Sequence, residues 1–372
     1  MTAELADQIR SAGRDIGFDR IGIAAAVTPP GFHPLLEWLA NGYAADMDWI
    51  ERRRDAYEHP AGVMPGTRSV IVAAMNYHSR EPEQHDETPG SSNPSHTATT
   101  GSESRRTEGA TGRVSRYAWG SQDYHSVLRR RLKQLANVVH ESAPDAHTRV
   151  VVDTAPLLER DFARLAGIGW FGKNTMLISR DIGSWFFLGA ILTDLDLPAD
   201  EPYADDFCGT CTRCLEACPT DAFPKPGVLD ANRCISYLTI ERRDKPIPPE
   251  LRSGMGQWIF GCDICQDVCP WNRFAPATSD AAFVACPDLR SPDCVELLTL
   301  SEDQFVERFR GTPLQRTGRD AILRNAAIAL GNSGVVSAIA QLRRSLSAES
   351  PLVREAAEWA LHRIISGADS AK

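Results

Sequence analysis

Eight of the ten cysteines in this chain fall into an arrangement whose spacing is typical of iron–sulfur chemistry. Residues 208–219 space four thiols as C-x2-C-x2-C-x3-C-P. In bacterial ferredoxins the first three cysteines of this run bind one [4Fe–4S] cluster, and the fourth ligates the other cluster of a pair. Residues 262–270 repeat the last three positions of the pattern. The spacing therefore predicts two [4Fe–4S] clusters.

The second group lacks one thiolate, and Cys234, between the two groups, is the natural candidate to supply it. The resulting ligand sets are Cys208, Cys211, Cys214 and Cys269 for cluster 1, and Cys218, Cys234, Cys262 and Cys265 for cluster 2. Cys286 and Cys294 remain, and we expect them to be inert buried thiols.

Zinc and disulfides are the alternatives for these cysteines. Structural zinc sites usually show separated C-x2–4-C pairs rather than three thiolates in one short loop. Crowded thiols in a chain without a secretion signal indicate metal binding rather than disulfides. The spacing favours iron–sulfur clusters over both.

Composition indicates a globular protein of two or three domains, with 372 residues and 42% hydrophobic content. No apolar run reaches the ~20 residues that span a bilayer. Residues 1–7 (MTAELAD) have no basic segment ahead of an apolar one, unlike a signal peptide. We therefore expect a cytoplasmic protein without membrane association.

The formal net charge of −9 argues against indiscriminate binding of nucleic acid. Between residues 306 and 365, however, nine arginines stand against five acids, for a net charge of +4. The arginines are Arg308, Arg310, Arg316, Arg319, Arg324, Arg343, Arg344, Arg354 and Arg363. This asymmetry fits either a local polyanion site or an ordinary solvated helical surface.

The overall pattern predicts an α+β fold with three parts. Residues 1–200 alternate helical stretches with β-branched strands, as at 18–26, 69–75, 149–152 and 185–192, which predicts a mixed α/β layer domain. Within it, residues 79–113 are polar and poor in apolar side chains, and we expect a disordered insertion there.

A proline- and acid-rich linker at 197–202 leads into a ferredoxin-like domain over 201–275. The segment 276–372 is predicted to be all helical. Residues 324–330 (RNAAIAL) and 354–361 (REAAEWAL) resemble each other, as in HEAT-type repeats, with a plain helical bundle as the alternative.

Asp153 follows an apolar strand, where α/β folds commonly place ligands. It suits a general acid, but it equally suits a cap for a helix that starts near Pro156. Residues 167–174 (GIGWFGKN) form a glycine-dense turn that either approaches a ligand closely or only turns the chain. No dinucleotide-binding or P-loop fingerprint is present.

Several motifs in this order resemble the epoxyqueuosine reductases, cobalamin-dependent iron–sulfur enzymes that make queuosine in tRNA. The similarity covers nearly the whole chain except 79–113. It rests on both cysteine groups and on the segments 115–120 (SRYAWG), 123–125 (DYH), 152–160 (VDTAPLLER), 167–174, 233–240 (RCISYLTI), 261–263 (GCD), 269–272 (CPWN) and 324–330.

The resemblance implies a base-off cobalamin held between an N-terminal cobalamin-binding domain and the cluster domain. The contacts it implies are Ser115, Arg116, Asp153, Lys173, Asn174, Ser236, Tyr237, Gly261 and Asp263. In the implied mechanism the clusters reduce cobalamin to cob(I)alamin, which attacks the epoxide. Asp153 protonates the opening oxygen, and we therefore expect its carboxyl to be protonated at working pH.

The implied partners are a tRNA with epoxyqueuosine in its anticodon loop, gripped by the HEAT-like segment, and an unidentified low-potential electron donor. The chain itself is expected to be a monomer. One departure from the family is Tyr57, at a position where the family often has arginine. The alternatives are a reductive dehalogenase-like corrinoid enzyme, a non-catalytic ferredoxin-type carrier, and a tRNA-binding scaffold with structural metal.

Overall fold

The structure, a computed structural model, describes residues 2–79 and 110–369. Most of the predicted insertion, residues 80–109, lies outside the described residues. Its two ends do not fit the prediction of disorder, because Ser79 is buried and Arg113–Val114 pairs with a later strand. In the described part of the chain, no helix combines the length and apolar character needed to cross a membrane.

A four-stranded antiparallel sheet forms the centre of the N-terminal half, in the order β1-β2-β7-β4. The strands of the structure are β1 Arg20–Ala25, β2 Ser69–Asn76, β3 Arg113–Val114, β4 Thr148–Val151, β5 Trp170–Phe171, β6 Leu177–Ile178, β7 Phe186–Thr193 and β8 Trp258–Phe260. Every residue of β2 is buried because helices cover both faces of the sheet. The predicted strands are present, and they pair antiparallel throughout this sheet.

The helices of this half pack on the sheet in two layers. They are α1 Thr2–Ile16, α2 Phe32–Ala40, α3 Asp48–Glu51, α4 Arg54–Tyr57, α5 Tyr124–Ser142 and α6 Glu159–Leu165. α1 buries Leu5 and Ile9, four residues apart on one face, and shares a core with α5 on one side of the sheet. α6 packs on the opposite side through Phe162. This sandwich leaves the loop between β4 and α6 at its margin.

The cluster region contains only short helices, and longer helices follow it. The first set is α7 Arg213–Glu216, α8 Ile235–Ile240, α9 Pro249–Arg252 and α10 Ile264–Asp267. The second is α11 Pro287–Arg290, α12 Cys294–Leu297, α13 Glu302–Phe309, α14 Arg319–Ser333, α15 Ile339–Ser345 and α16 Pro351–Asp369. α14 and α16 meet at Gly331, where a Cβ atom would lie 2.8 Å from the Cα atom of Ala360.

One apolar core joins the cluster region to these C-terminal helices, because Leu238 and Phe260 pack in the same cluster as Leu323 and Ala327. The fully buried Arg324 reinforces the junction. Its guanidinium donates to the carbonyl oxygens of Leu238, Arg242 and Lys245. The predicted limit at 275/276 therefore crosses a shared core, which holds both segments in a defined relation.

Candidate functional site

The structure brings the four cysteines assigned to cluster 1 around one cavity of about 220 Å³. Cys208, Cys211 and Cys214 come from the loop and first turn of α7, and Cys269 comes from the segment after α10. Burial raises the pKa of the Cys214 thiol, and the neighbouring Cys269 and Cys208 add to the effect. Residues from two cysteine groups, 55 or more positions apart in the chain, thus share one site.

The four cysteines assigned to cluster 2 form a second neighbourhood. Burial raises the pKa of the Cys262 thiol, with contributions from Cys234 and Cys218. The pKa of Cys265 is raised by burial and then by Cys262 and Cys234. Cys214 also contributes to the shift of Cys265, so the two neighbourhoods adjoin.

These groups are not arranged for a single metal ion. Among residues 2–79 and 110–369, no three His, Cys, Asp or Glu side chains converge closely enough to hold one ion. A tetrahedral zinc site would need such convergence, since zinc–sulfur bonds measure ~2.3 Å. Thiols spread around a larger volume fit a cluster of several metal atoms. Cys294 is fully buried and Cys286 is half-buried, both packed in the apolar core.

Gly261 and Asp263 join the cluster 2 loop to the N-terminal half. The Ser115 hydroxyl donates to Oδ1 of Asp263, and the backbone N–H of Arg116 donates to Oδ2 at 2.6 Å. Burial raises the pKa of Asp263 to about 6. Gly261 has φ +68°, and a Cβ atom there would lie 2.4 Å from the Cβ atom of Ser115. Only glycine allows this approach without displacement.

Lys173 and Asn174 hold the cysteine loops. The Lys173 ammonium donates to the carbonyl oxygens of Gly209 at 2.6 Å and Cys211 at 3.0 Å. The Asn174 amide donates to the carbonyl oxygen of Cys265 at 3.2 Å. The glycine-dense turn thus positions the loops that carry the cysteines. The implied corrin contacts of Lys173 and Asn174 stay predictions.

The first turn of α8 adjoins cluster 2. The backbone N–H groups of Ser236 and Tyr237 hydrogen-bond the Cys234 thiol. The side chain of Ser236 remains half-exposed, whereas the Tyr237 hydroxyl donates to Asp46 at 2.9 Å. Ser236 is therefore the accessible member of this predicted pair.

Asp153 lies in the loop between β4 and α6 with φ +57°, a conformation that aspartate tolerates better than most residues. Its backbone N–H donates to Oε1 of Glu159 at 2.7 Å. It does not cap a helix, because α6 begins at Glu159 with Leu158 in the cap position. The capping alternative is wrong, and the carboxylate points elsewhere.

His125, the first-turn histidine of α5, links two carboxylates. Its Nδ1 lies 2.9 Å from Oδ1 of Asp123, and its Nε2 lies 2.9 Å from Oδ2 of Asp153. Arg316, from the C-terminal helical segment, places Nη1 2.9 Å from the same Nε2 atom. The Tyr124 hydroxyl donates to Asp153 at 3.3 Å. The His125 side chain is 4% exposed and that of Asp153 is 59% exposed, so a ligand can reach the carboxylate alone.

The pKa of Asp153 is set by burial and by its hydrogen bond to His125. Burial alone would raise its pKa, but the hydrogen bond to His125 and the charge of His125 lower it. Burial would likewise lower the pKa of His125, yet its bonds to Asp123 and Asp153 raise it. The hydrogen bond to His125 therefore favours the ionised form of Asp153 in this arrangement. The expectation of a protonated Asp153 beside a bound corrin stays a prediction. Burial raises the pKa of neighbouring Glu159 to about 8, with the charge of Asp153 adding to the effect.

Five members of this group were not among the candidates predicted from the sequence: Asp123, Tyr124, His125, Glu159 and Arg316. Three of them were visible in the DYH motif at 123–125, and Glu159 in the segment 152–160. Arg316 carried no signal beyond its contribution to a basic tail. Only the packing of the C-terminal segment against α5 reveals it.

Two family models match the chain. Residues 207–272 match a "4Fe-4S double cluster binding domain", a span that contains all eight assigned cysteines and excludes Cys286 and Cys294. Residues 58–154 match "Epoxyqueuosine reductase QueG, DUF1730". The chain is 40% identical to the epoxyqueuosine reductase of Pseudomonas aeruginosa over 97% of its length and 95% of the relative's. For Escherichia coli K12 the identity is 38%, over 96% and 89%.

The chain belongs to the epoxyqueuosine reductase family. Solved structures of the family share its fold. One, with an epoxyqueuosine-modified tRNA-Tyr stem loop, has a TM-score of 0.84 and 31% identity, covering 97% of this chain and 90% of that one. The Streptococcus thermophilus structure has a TM-score of 0.81 and 30% identity, covering 98% and 91%.

Membership has three consequences for the alternatives raised above. The cysteines belong to an iron–sulfur domain rather than to zinc sites or disulfides. The chain is an oxidoreductase, so the non-catalytic carrier and the scaffold no longer apply. The near full-length similarity to epoxyqueuosine reductases likewise replaces the dehalogenase-like alternative.

Proposed function

We propose that this chain reduces epoxyqueuosine to queuosine in tRNA, the last step of queuosine synthesis. The reaction takes up two electrons and two protons, opens the epoxide to an alkene and releases water. The observation that carries the proposal is the presence, in a chain of this family, of a reachable proton-handling carboxylate beside a double iron–sulfur domain. Electrons and protons therefore arrive from separate groups of the same molecule.

We also propose that cobalamin binds between the Asp153 loop and the first turn of α8. The fit rests on Gly261, whose lack of a side chain lets the two halves close, and on the accessible Asp153 and Ser236. When bound, a corrin supplies reductive chemistry at an epoxide carbon. Ser115, Asn174, Tyr237 and Asp263 are buried and act as the frame behind the cofactor, rather than as its contact surface.

The His125 geometry supports a proton supply for Asp153. With a proton on Nε2, His125 donates to the carboxylate of Asp153. Once that proton has left, Nε2 accepts a hydrogen bond from Arg316, which lies at the same 2.9 Å. Both protonation states are hydrogen-bonded, so proton release leaves no buried polar atom unpaired. Asp153 delivers the proton to the epoxide oxygen because it alone of the pair is accessible.

A groove of about 440 Å³ supports RNA binding beside this group. It is lined by Trp49, which is 38% exposed, and by three cations and three acids. Asp46 pairs with Arg242 and Lys245, and Glu241 pairs with Arg243. Glu241 lines the same groove, and the charge of Asp153 contributes to its raised pKa, after burial. Single-stranded RNA bases are commonly stacked on aromatic side chains. The exposed ring of Trp49 thus suits stacking of a splayed anticodon-loop base.

The proposed division of labour follows the predicted segments. Residues 1–200 bind cobalamin, residues 201–275 carry the clusters, and the HEAT-like residues 276–372 contact tRNA. The shared core between the last two segments keeps Arg316 in position against α5. We also retain the expectations of a monomer and of a cytoplasmic location.

The test of the proposed function is Asp153→Asn, since asparagine tolerates positive φ and keeps the side-chain shape. We expect iron content and the corrin absorption spectrum of the reconstituted protein to stay unchanged. Turnover, followed by mass spectrometry of tRNA nucleosides, should fall by about 10²-fold or more, the range for loss of a general acid.

Asp145→Asn, at an exposed loop position, is the matched control and should retain full activity. Full activity of Asp153→Asn would remove the proton-donor role. Failure of the unaltered holoenzyme to consume epoxyqueuosine in tRNA would refute the function itself.

A further inference from the structure

The two cysteine neighbourhoods follow one another from the proposed cobalamin site: cluster 2 adjoins the site, and cluster 1 adjoins cluster 2. Cluster 2 adjoins that site, since Cys234 directly precedes α8, which carries Ser236, and Cys262 is flanked by Gly261 and Asp263. Cluster 1 adjoins cluster 2 through Cys214 and Cys265. This inference rests on the proposed function, in which the two clusters pass electrons to the cobalamin site. In that path cluster 1 receives the electrons first.

An open cavity of about 650 Å³ lies over cluster 1, with Cys269 and Pro270 in its lining. Arg213 and Arg273 also line it, and both are exposed. Neither guanidinium has a hydrogen-bond or ion-pair partner in the described part of the chain. The acids of the same cavity are engaged within the protein: Glu216 accepts from the Thr212 hydroxyl, and Asp267 lies 3.5 Å from Arg116.

Phe274, next in sequence to Arg273, is 86% exposed, the highest value among the exposed large apolar side chains of the described residues. A single exposed apolar residue is ordinary on a protein surface. Here the residue directly follows Arg273, one of the two arginines of the cavity, and lies five residues after a cluster 1 cysteine. Aromatic and arginine side chains are the types that dominate binding energy in protein interfaces.

We propose that Arg213, Arg273 and Phe274, with the adjoining Cys269 and Pro270, form the docking surface for a small acidic protein that donates one electron at a time. We name these residues the electron-input surface. The carrier is oxidised by one electron, and cluster 1 passes from [4Fe–4S]²⁺ to [4Fe–4S]⁺. Two such encounters supply the two electrons of one turnover.

Charge supports an acidic partner at this location. The chain as a whole carries −9, so its net charge repels an acidic protein at long range. A local pair of unpaired cations then orients the encounter, which raises the association rate more than the affinity. Small interfaces of this kind are typical of transient redox complexes.

The test compares two variants of the anaerobically prepared holoenzyme, Arg213→Glu/Arg273→Glu and Phe274→Ser. The probe is purified acidic flavodoxin in its hydroquinone form. Stopped-flow absorbance follows cluster reduction and flavin oxidation, and anisotropy of labelled flavodoxin gives the Kd. For the double variant we expect the second-order rate constant to fall about tenfold or more at low ionic strength, and its salt dependence to flatten. Phe274→Ser should raise the Kd with little change in salt dependence.

Arg14→Glu/Arg129→Glu makes the same charge change at exposed positions on α1 and α5, and should keep the wild-type rate constant. Photoreduced deazaflavin, a neutral reductant, should reduce the clusters of every variant equally. If flavodoxin reduces the wild-type clusters but no epoxyqueuosine is consumed, the proposed function is refuted. The measured rate constants and Kd values would still test the docking surface.

Three results would overturn the docking proposal. The first is equal flavodoxin rate constants for the double variant and wild type. The second is weaker binding of a tRNA stem loop by the double variant without a change in flavodoxin kinetics, which would make this an RNA surface. The third is failure of both flavodoxin and an acidic ferredoxin to reduce the wild-type clusters.

Discussion

At the scale of single residues, the proton-handling group depends on direct hydrogen bonds between its members. His125 lies between Asp123 and Asp153 and shares Nε2 with Arg316. Each neighbour changes the pKa of the next, so the proton belongs to the pair of His125 and Asp153 rather than to either side chain. The enclosed imidazole of His125 stores the proton, and the exposed carboxylate of Asp153 delivers it.

His125→Asn tests this storage role through the pH dependence of turnover. In wild type the pair keeps its proton until the pH passes the raised pKa of His125, so activity should fall on the alkaline side above its ordinary value of 6.5. Without the imidazole, Asp153 must hold the proton itself, and a carboxyl loses it at lower pH. The alkaline limb of kcat should therefore move to lower pH.

A purely structural role for His125 would leave the position of that limb unchanged while lowering the activity at every pH. His147→Asn offers a control, since His147 pairs with Asp194 at an exposed surface. Its pH profile should match that of wild type.

The cysteines give a second prediction at this scale. We expect eight iron atoms per chain after anaerobic reconstitution, measured by elemental analysis. Cys218→Ser should remove the signal of cluster 2 from the EPR spectrum of the reduced protein, because it deletes one of four ligands. Cys286→Ser and Cys294→Ala should keep all eight irons. Four irons, or stoichiometric zinc, would contradict the ligand sets.

At the scale of elements, short loops rather than long helices position the chemistry. The segment 261–263 reaches across to Ser115 and Arg116, and the turn at 167–174 reaches the cluster loops. These loops are held by hydrogen bonds and close backbone approach. Small changes in them should therefore disturb the site more than equal changes on helix surfaces.

Gly261→Ala tests the close approach, with Gly256→Ala as its matched control. Both glycines have positive φ, +68° and +55°, but only Gly261 has a neighbour that a Cβ would strike, the Cβ of Ser115 at 2.4 Å. Gly256→Ala should cost about 1 kcal/mol of stability, the penalty for left-handed backbone. Gly261→Ala should add roughly 1–3 kcal/mol for overpacking. Denaturant unfolding of the holoprotein measures both.

The expected local consequence of Gly261→Ala is loss of cluster 2 from the EPR spectrum before loss of cluster 1. Equal destabilisation by the two substitutions would show that the packing against Ser115 relaxes freely. In that event Gly261 would serve only its backbone conformation.

At the scale of the whole molecule, most of the arginines in the basic tail have structural partners. Arg324 is buried, Arg308 pairs with Glu296, and Arg354 donates to the backbone carbonyls of Ala348 and Glu349. Arg343 and Arg344 remain exposed on α15. Fewer arginines of this segment are therefore available to contact phosphates than its net charge indicates.

Arg343→Gln/Arg344→Gln should weaken binding of an epoxyqueuosine-modified stem loop and make the slope of log K against log salt shallower by about two, because each arginine neutralises one phosphate. Titration at several salt concentrations measures this, and thermal unfolding should be unchanged. Arg354→Gln should do the reverse, with a lower Tm and an unaltered slope. An unaltered slope in the double variant would leave α15 a solvated surface.

The sequence by itself determined the cysteine spacing, the main strands and helices, and Asp153 as a candidate, because these depend on local pattern and residue type. Cysteine spacing was informative since a cluster demands thiolates in one short loop. Local pattern could not reveal the antiparallel pairing of the sheet, which depends on how distant strands meet. It also could not reveal that Asn174 and Lys173 support loops, because their partners lie far along the chain.

Only the tertiary structure shows which neighbours shift the pKa of Asp153 and which residues belong to its group. The pKa of a carboxyl depends on charges within a few ångströms, and those charges come from α5, from residue 159 and from the C-terminal segment. Packing of the last segment against the cluster region brings Arg316 there. Folding thus places Asp153 within hydrogen-bonding distance of His125, so that the two side chains share one proton.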